Sequence, residues 1–244
     1  MFDPIEITRK IKKIVCEGEK RKYYRIRPAR FYGGIATADV VGCNLSCIFC
    51  WAWNVVHNPK KYGKFYSPKE IAKRLVSIAK KYSFENMRVS GNEPTLGKEH
   101  LIKLLENLKN MKKTFILETN GILIGYDKKF AKRLSEFENL HVRVSLKGAN
   151  KEEFSKLTGA KPEAFNYQLR ALENLSKYNV SCHPAVMVSF SSEKNLEDLR
   201  NKLKNIKEDF ANFEIEELVF YGNVKSRLEK AGIIPRSRGS SFQF

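Results

Sequence analysis

The chain has 244 residues, 42% of them hydrophobic, which suits one large α/β domain or two small ones, and no apolar run approaches the roughly 18 residues that a membrane span requires. We therefore expect no membrane contact, and because the first residues include acidic side chains and lack the apolar core of a signal peptide, we expect a cytoplasmic protein. The formal net charge of +18 indicates either a basic surface for RNA or DNA or lysine-rich solvated faces, and the spread of lysines over the predicted helices favours the second.

Residues 1–32 are predicted to form a basic N-terminal extension. The densest basic segment of the chain, residues 19–34, places Arg25, Arg27 and Arg30 among tyrosine and phenylalanine side chains. Arginines interleaved with aromatic rings are typical of nucleic-acid binding. A nucleic-acid partner is therefore kept as the less favoured alternative, because no recognisable RNA-binding module accompanies the segment.

From residue 33 onward, short β-branched runs alternate with amphipathic helices, the pattern of a parallel sheet built from βα units. Strands are predicted over residues 33–42, 86–90, 114–118, 141–146, 180–188 and 214–220. One helix is predicted to begin after Ser67, with Pro68 in the first position and Glu70 closing a capping box. The other helices are predicted from leucine spacing around residues 101–108 and 196–206, and over about 127–137, 152–157 and 162–177.

Six βα units without a glycine- or proline-rich linker predict one α/β domain, either a doubly wound sheet or a partial (βα)6 TIM-like barrel. The unusual residues come directly after the strands, and in barrels the carboxyl ends of the strands form one shared face where chemistry is assembled. The barrel is therefore favoured. It is predicted over residues 33–222, followed by a C-terminal tail over residues 223–244.

The segment VGCNLSCIFCWAW, residues 41–53, holds Cys43, Cys47 and Cys50 on a loop after the first of these strands. Five cysteines in a chain without an export signal argue against a disulfide framework and indicate metal binding or catalysis. Structural zinc takes four ligands, so Cys16 or Cys182 would have to supply the fourth. A cubane iron–sulfur cluster held by three thiolates leaves one iron open to a substrate or cofactor.

This cysteine spacing, with aromatic Phe49 just before the last cysteine, resembles the radical S-adenosylmethionine (SAM) superfamily. The resemblance covers about residues 33–220. It implies a [4Fe–4S] cluster on Cys43, Cys47 and Cys50, whose open iron binds the amino and carboxylate groups of SAM. It also implies reductive cleavage of SAM to a 5′-deoxyadenosyl radical that abstracts hydrogen from a substrate.

The segment SGNEP, residues 90–94, resembles the family's Gly-Gly-Glu-Pro segment, which holds the methionyl amino group of SAM. By that match Gly91, Asn92 and Glu93 bind the cofactor. Asn92 stands at the second glycine, and asparagine tolerates left-handed backbone angles better than most residues.

Two further segments, LETNG at residues 117–121 and VSLKG at residues 144–148, resemble the glycyl-radical activating enzymes, typified by the activator of pyruvate formate-lyase. By that match Glu118 and Lys147 face SAM, and Lys147 pairs with its carboxylate. Ser145 also lies at this site, where the activating enzymes carry an acidic residue.

The resulting hypothesis is a radical SAM oxidoreductase that receives its electron from a flavodoxin- or ferredoxin-like donor and activates a glycyl-radical enzyme, its protein substrate. Radical modification of tRNA or of a small metabolite is the alternative within enzymes. A non-catalytic iron–sulfur binding protein is the alternative from another class. The sequence does not separate them, because fold and cluster are shared while the substrate is chosen by loops. The sequence also assigns no catalytic residue of its own, and it leaves Trp51, Trp53 and His183 between substrate contacts and structural roles.

Overall fold

The structure, a computed structural model, describes residues 1–236, and within this range the strands form one sheet. The strands are β1 (Cys16–Glu17), β2 (Lys20–Ala29), β3 (Ile35–Val40), β4 (Lys64–Tyr66), β5 (Asn86–Gly91), β6 (Thr114–Thr119), β7 (Leu140–Leu146), β8 (Cys182–Met187) and β9 (Glu214–Glu216). The helices are α1 (Pro4–Val15), α2 (Trp53–His57), α3 (Pro68–Lys81), α4 (Lys98–Leu108), α5 (Ile122–Tyr126), α6 (Lys128–Leu134), α7 (Lys151–Thr158), α8 (Phe165–Lys177), α9 (Glu193–Ile206) and α10 (Val224–Lys230).

The parallel part of the sheet confirms the predicted partial (βα)6 barrel in a single α/β domain. Strands β3, β5, β6, β7, β8 and β9 lie side by side in that order, and each neighbouring pair is parallel. Helices connect successive strands of this set. The sheet stays open, with β1 at one end of the strand order and β9 at the other.

The helix after the cysteine loop shows how local sequence determines an element. The hydroxyl of Ser67 accepts from the amide of Glu70, and the Glu70 carboxylate accepts from the Ser67 amide at 2.7 Å. Pro68 occupies the first helical turn. This capping box gives hydrogen-bond partners to amide groups that a helix end otherwise leaves unpaired. The predicted start of α3, directly after Ser67, is therefore confirmed.

The two faces of the sheet differ in chemistry because successive side chains of a strand point to opposite faces. The outer face, covered by the helices, is apolar and fully buried, for example at Ala38, Val89, Leu117, Val144 and Val186. A parallel sheet covered on both faces would be apolar throughout. Here the inner face of the partial barrel is polar instead, and it carries Asp39, Arg88, Glu118, Arg143, Ser145, Glu214 and Glu216.

The N-terminal segment is part of the fold, which the sequence did not indicate. Residues 20–29 form β2, an antiparallel neighbour of β3 in which Arg27 lies opposite Thr37. Helix α1 packs Ile11 and Val15 against the backbone at Gly42, where an added Cβ would lie 2.8 Å from Ile11. The sheet therefore continues across the predicted boundary at residue 32, and the division of the chain into 1–32, 33–222 and 223–244 stays a prediction.

The predicted C-terminal tail contains α10, whose Val224 and Leu228 are buried against Leu157 and Leu218. Residues 237–244 of that tail lie outside the described residues. In the part of the chain that the structure describes, no helix is both long and apolar enough to span a bilayer.

Candidate active site

The residues singled out in the sequence collect at the carboxyl ends of four neighbouring strands. The cysteine loop follows β3, the SGNEP segment ends β5, Glu118 lies near the end of β6, and Lys147 follows β7. Because these strands are parallel, their carboxyl ends share one edge of the sheet. The structure thus brings the predicted site residues together on one side of the barrel.

The cysteine loop is held by the helix that follows β7. The amides of Ser46 and Ile48 donate to the carbonyls of Thr158 and Leu157 at 3.1 and 2.9 Å. Within the loop, the amide of residue 50 donates to the carbonyl of residue 47 at 2.9 Å. These bonds fix the loop against the C-terminal end of α7 and leave the three thiols on a defined backbone.

Cys47 is buried and Cys43 and Cys50 are half-buried, and burial raises the pKa of all three thiols. The pKa of Cys47 rises to about 12 although Lys147 opposes the change, and burial also raises the pKa values of Cys43 and Cys50. A buried thiolate requires a cation beside it, and a bound metal centre supplies one. Soft thiolates as the only donors of the loop fit an iron–sulfur cluster.

The remaining cysteines lie apart from the loop. The Cys16 thiol, on β1, lies 3.9 Å from the Leu96 carbonyl oxygen. Cys182 begins β8, so it lies at the amino end of a strand, whereas the loop lies at the carboxyl ends of the strands. Among residues 1–236 no three His, Cys, Asp or Glu side chains converge to hold a single metal ion. A cubane cluster does not require such convergence, because each thiolate binds a different iron.

Glu93 ties the ends of β5 and β6 together. Its side chain is 1% exposed, and one carboxylate oxygen accepts from the hydroxyls of Thr95 and Thr119 at 2.6 and 2.7 Å. The other oxygen accepts from the Asn120 amide at 2.8 Å. The Asn120 side chain in turn lies 3.9 Å from the Cys43 sulfur. Glu93 thus positions the edge of the site, and its predicted contact with SAM stays a prediction.

The two residues before Glu93 fit a ligand ammonium group. Gly91 has φ of +97°, and an added Cβ would lie 2.9 Å from Cβ of Asp39, so only glycine lets β5 end this close to β3. The Asn92 side-chain amide donates to the Val40 carbonyl at 3.1 Å, while its Oδ1 is buried without a partner among the described residues. A buried acceptor of this kind is costly unless a donor meets it, and the amino group of SAM is a donor.

Lys147 lies in a charged cluster between β7 and β9. Its Nζ donates to the Ser145 hydroxyl and lies 3.4 Å from Glu216 Oε2, and that carboxylate also accepts from Ser145 at 2.7 Å and from Arg143 at 2.7 Å. Burial works against the charge of Glu216, but Lys147 and Arg143 prevail and lower its pKa to about 2. The acidic group that Ser145 lacks is therefore present, supplied by Glu216 of β9, the second strand along from β7.

Glu118 lies on the inner face of the barrel, whereas Phe49 lies in the cysteine loop. The Glu118 carboxylate accepts from Arg88 at 2.7 Å and from the Tyr32 hydroxyl at 2.9 Å, so it is already paired on the inner face. The Phe49 ring packs against Phe190 with centroids 5.5 Å apart, beside the loop. Whether either contacts SAM stays a prediction.

Arg227 is a site residue that the sequence analysis missed. From α10 it donates to the carbonyls of Ile48 and Cys50 at 3.0 and 2.7 Å, and its guanidinium lies 4.6 Å from the Trp53 ring centroid. The segment VKSRLEK, with apolar residues four apart, was the available signal for a short helix here. The C-terminal helix thus contacts the backbone of the cysteine loop directly.

Trp51, Trp53 and His183, whose roles the sequence did not decide, lie at two places in the fold. Trp51 and Trp53 line a cavity of about 400 Å³ beside the loop, together with Arg227 and Tyr221. His183 lies on the inner face at the amino end of β8, where it is hydrogen bonded to His141 at 2.7 Å and to Glu214 at 2.8 Å. His183 therefore belongs to a hydrogen-bonded chain of protein groups.

The fold and the three-cysteine loop define the class of protein. The sequence model of the Radical SAM superfamily matches residues 39–203, and the chain belongs to this superfamily. The cofactors of this family are a [4Fe–4S] cluster and SAM.

Relatives with names given by curators are described as "Probable GTP 3′,8-cyclase". The one from Methanococcus aeolicus is 34% identical over 127 residues, covering 50% of this chain and 39% of that protein. The one from Methanocaldococcus jannaschii is 29% identical over 159 residues, covering 64% of this chain and 49% of that protein. The chain thus spans less than half the length of these relatives. The predicted superfamily is confirmed, while these relatives do not carry the name of an activating enzyme.

Solved structures share the fold at low identity. Streptococcus suis SuiB bound to the precursor peptide SuiA has a TM-score of 0.60 at 19% identity, covering 82% of this chain and 42% of that chain. HydG, a maturase of the [FeFe]-hydrogenase, has a TM-score of 0.60 at 13% identity, covering 91% of this chain and 49% of that chain.

Proposed function

We propose that this chain cleaves SAM reductively at a cluster held by Cys43, Cys47 and Cys50, and that it uses the product to abstract hydrogen from a small polar substrate. The observation that supports this is the position of the cysteine loop at the carboxyl ends of the parallel strands, the same edge at which Asn92 follows β5 with an Oδ1 that is unpartnered among the described residues. When bound, the cluster and SAM supply a 5′-deoxyadenosyl radical.

The residues of the chain bind and orient the cofactor in this proposal. Asn92 accepts from the amino group of SAM in this proposal, and Lys147, whose charge acts to lower the pKa of Cys47, pairs with the SAM carboxylate as a point charge. Glu93 holds the ends of β5 and β6 at their spacing. The loop and α10 exclude water from the thiolates, since Arg227 covers two of the loop carbonyls.

A small polar substrate is favoured over a protein partner because of the inner face. Charged side chains from β2 to β9 line it, and such a surface suits a substrate with several polar groups. The name of the curated relatives makes a nucleotide one form of such a substrate, although the chain spans less than half of their length.

Activation of a glycyl-radical enzyme is the second candidate. It is supported by the segments at residues 117–121 and 144–148 and by the SuiB neighbour, which is bound to a precursor peptide in the solved structure. In both candidates the electron comes from a flavodoxin- or ferredoxin-like donor. The net charge of +18 favours an acidic protein in that role.

The first experiment tests the cluster and the cleavage. Anaerobically reconstituted protein should bind about four irons and form 5′-deoxyadenosine from SAM and a reductant. Cys43→Ala, Cys47→Ala and Cys50→Ala should each lose the iron and the product, while Cys16→Ala and Cys182→Ala should keep both. A cluster that binds without any SAM cleavage would make the chain a non-catalytic iron–sulfur protein.

A second experiment separates the substrate classes. Deuterated nucleotides, deuterated tRNA and a glycyl-radical enzyme labelled at glycine are each incubated with the active protein, and deuterium in 5′-deoxyadenosine is measured. Transfer from a nucleotide supports the favoured candidate. Transfer from the labelled glycine would instead establish the activating role, and transfer from tRNA would contradict both.

A further inference from the structure

The basic segment of β2 adds its arginines to the inner face of the barrel instead of an outer surface. Arg25 lies opposite Asp39 and Arg27 opposite Thr37, and these partners on β3 belong to the inner face. On the other side of β3, Arg88 of β5 is the partner of Thr37. Arg27 and Arg88 therefore flank one threonine in a single row across three strands.

In the row of Thr37 and the adjoining row of Asp39, guanidinium groups outnumber carboxylates. The guanidinium groups of Arg25, Arg27 and Arg88 share the carboxylates of Asp39 and Glu118. Arg88 has a close partner in Glu118 at 2.7 Å, and Arg25 has one in Asp39 at 2.9 Å. The third guanidinium, that of Arg27, has no carboxylate of its own within residues 1–236.

Arg27 is poorly satisfied by the protein. The distance from Arg27 Nη2 to Asp39 Oδ2 and the distance from Arg27 Nη1 to the Pro28 carbonyl oxygen are both 3.5 Å, at the outer limit of a hydrogen bond. Its Nε is buried and has no partner among the described residues. The Asp39 carboxylate is already engaged by Arg25 and by the Ser90 hydroxyl at 3.1 Å. An arginine fork in this state can bind a carboxylate or phosphate through two parallel hydrogen bonds.

We infer that Arg27, with Arg88 beside it, forms an anion subsite on the inner face that binds a carboxylate or phosphate group of the substrate. This inference rests on the proposed function, because it names a part of the substrate used there. The row of Thr37 lies three residues before the end of β3, about 10 Å below the edge that carries the cysteine loop. The anionic group of the bound substrate therefore lies about that far inside the barrel, measured from the same edge.

The test measures binding of two simple anions to the reconstituted holoenzyme. Inorganic pyrophosphate and succinate serve as probes for a phosphate and a carboxylate, and equilibrium dialysis gives their affinities at fixed salt. We expect at least one probe to bind, and Arg27→Gln to weaken it about tenfold or more, as for the loss of a charge-assisted hydrogen bond. The probe that binds more tightly identifies the chemical class of the anion.

Arg30→Gln is the matched control, since it removes the same charge from an exposed position on the same segment. It should bind the probes as the wild type does. Equal losses in Arg27→Gln and Arg30→Gln would show attraction by net charge alone and overturn the inference, as would the absence of probe binding to the wild type.

Two further measurements keep the outcome decisive. Arg27→Lys keeps the charge without the planar fork, so it should bind the probes with intermediate affinity even if Arg27→Gln folds poorly. An affinity of Arg27→Lys equal to that of the wild type would contradict binding through the planar guanidinium fork. SAM cleavage without added substrate is assayed on the wild type and on Arg30→Gln and should be the same in both. Failure of cleavage in the wild type with anion binding intact would count against the proposed function and not against the subsite.

Discussion

Asn92 shows what one side chain can contribute where the family pattern has glycine. Its Oδ1 is buried and unpartnered among the described residues, so a ligand donor there removes an unfavourable state of the free protein. We expect Asn92→Ala to retain iron and to bind SAM about tenfold more weakly, the loss expected for one hydrogen bond to a charged group. Equilibrium binding of SAM to the reconstituted variant measures this.

Asn139 provides the control for that prediction. Its Oδ1 is also buried and unpartnered within residues 1–236, but its amide donates to the carbonyls of Leu108 and Lys113 at the amino end of the sheet. Asn139→Ala should therefore lower stability without changing SAM affinity. Equal SAM affinity in Asn92→Ala and the wild type would assign the ammonium to another acceptor.

The sequence predicted a set of site residues but not the protein groups that they contact. The Gly-Glu-Pro spacing was enough to place Glu93 at a strand end. Its carboxylate partners, Thr95, Thr119 and Asn120, come from two segments about 25 residues apart, and only the register of β5 and β6 brings them together. Likewise the missing acid at Ser145 is supplied by Glu216, 71 residues further along the chain. Such pairings depend on the tertiary fold and are not encoded in local spacing.

At the scale of elements, the six parallel strands and the main helices between them were predictable from alternating hydrophobic patterns. Strand β2 was not, although it has ten residues. Its outward residues Tyr23 and Ile26 are apolar, but its inward residues Arg25 and Arg27 are charged because the barrel interior is polar. A bulge between Tyr23 and Arg25 also breaks the period of two. The segment therefore resembles a basic surface loop when only its sequence is considered.

Helix α10 provides the element-scale prediction. Arg227 donates two hydrogen bonds to the cysteine loop, so removing it leaves two buried or half-buried carbonyls without that donor. We expect Arg227→Gln to release iron to a chelator about tenfold faster than the wild type under anaerobic conditions. Arg227→Lys keeps the charge but not the planar fork, so its rate of iron release should lie between those of Arg227→Gln and the wild type.

Lys225→Gln is the control on the same helix, because that side chain is 74% exposed and extends away from the loop. Its iron release should match that of the wild type. If all three variants release iron at the wild-type rate, α10 covers the loop without stabilising it.

At the scale of the whole molecule, the inner face is a network of opposite charges across β7, β8 and β9. Arg143 is hydrogen bonded to Glu214 and Glu216, which raises the pKa of the guanidinium although burial opposes this. Hydrogen bonds from His183 and Arg143 lower the pKa of Glu214 to about 2. The inner face of these three strands is thus held by ion pairs whose strength depends on pH, while the outer face of β7 and β8 belongs to the apolar core.

Glu216 gives the pH dependence that follows from this network. Its pKa in the folded chain is about 2, below the value of 4.5 for a free side chain, so the folded state binds fewer protons than the unfolded state between these values. The stabilisation is complete above about pH 5 and is lost as the pH falls toward 2. The shift corresponds to at most roughly 3 kcal/mol of the free energy of unfolding. We therefore expect Glu216→Gln to be less stable than the wild type near pH 7, and the difference to shrink as the pH falls.

Urea unfolding of both proteins between pH 7 and pH 3, prepared without the cluster so that its loss in acid does not enter, measures this difference. Glu138→Gln is the control, because it removes one negative charge from an exposed position that has no ion pair among the described residues. Its stability should follow that of the wild type at every pH. A difference between Glu216→Gln and the wild type that stays constant from pH 7 to pH 3 would mean that the carboxylate contributes by shape and hydrogen bonding, and that its charge does not stabilise the inner face.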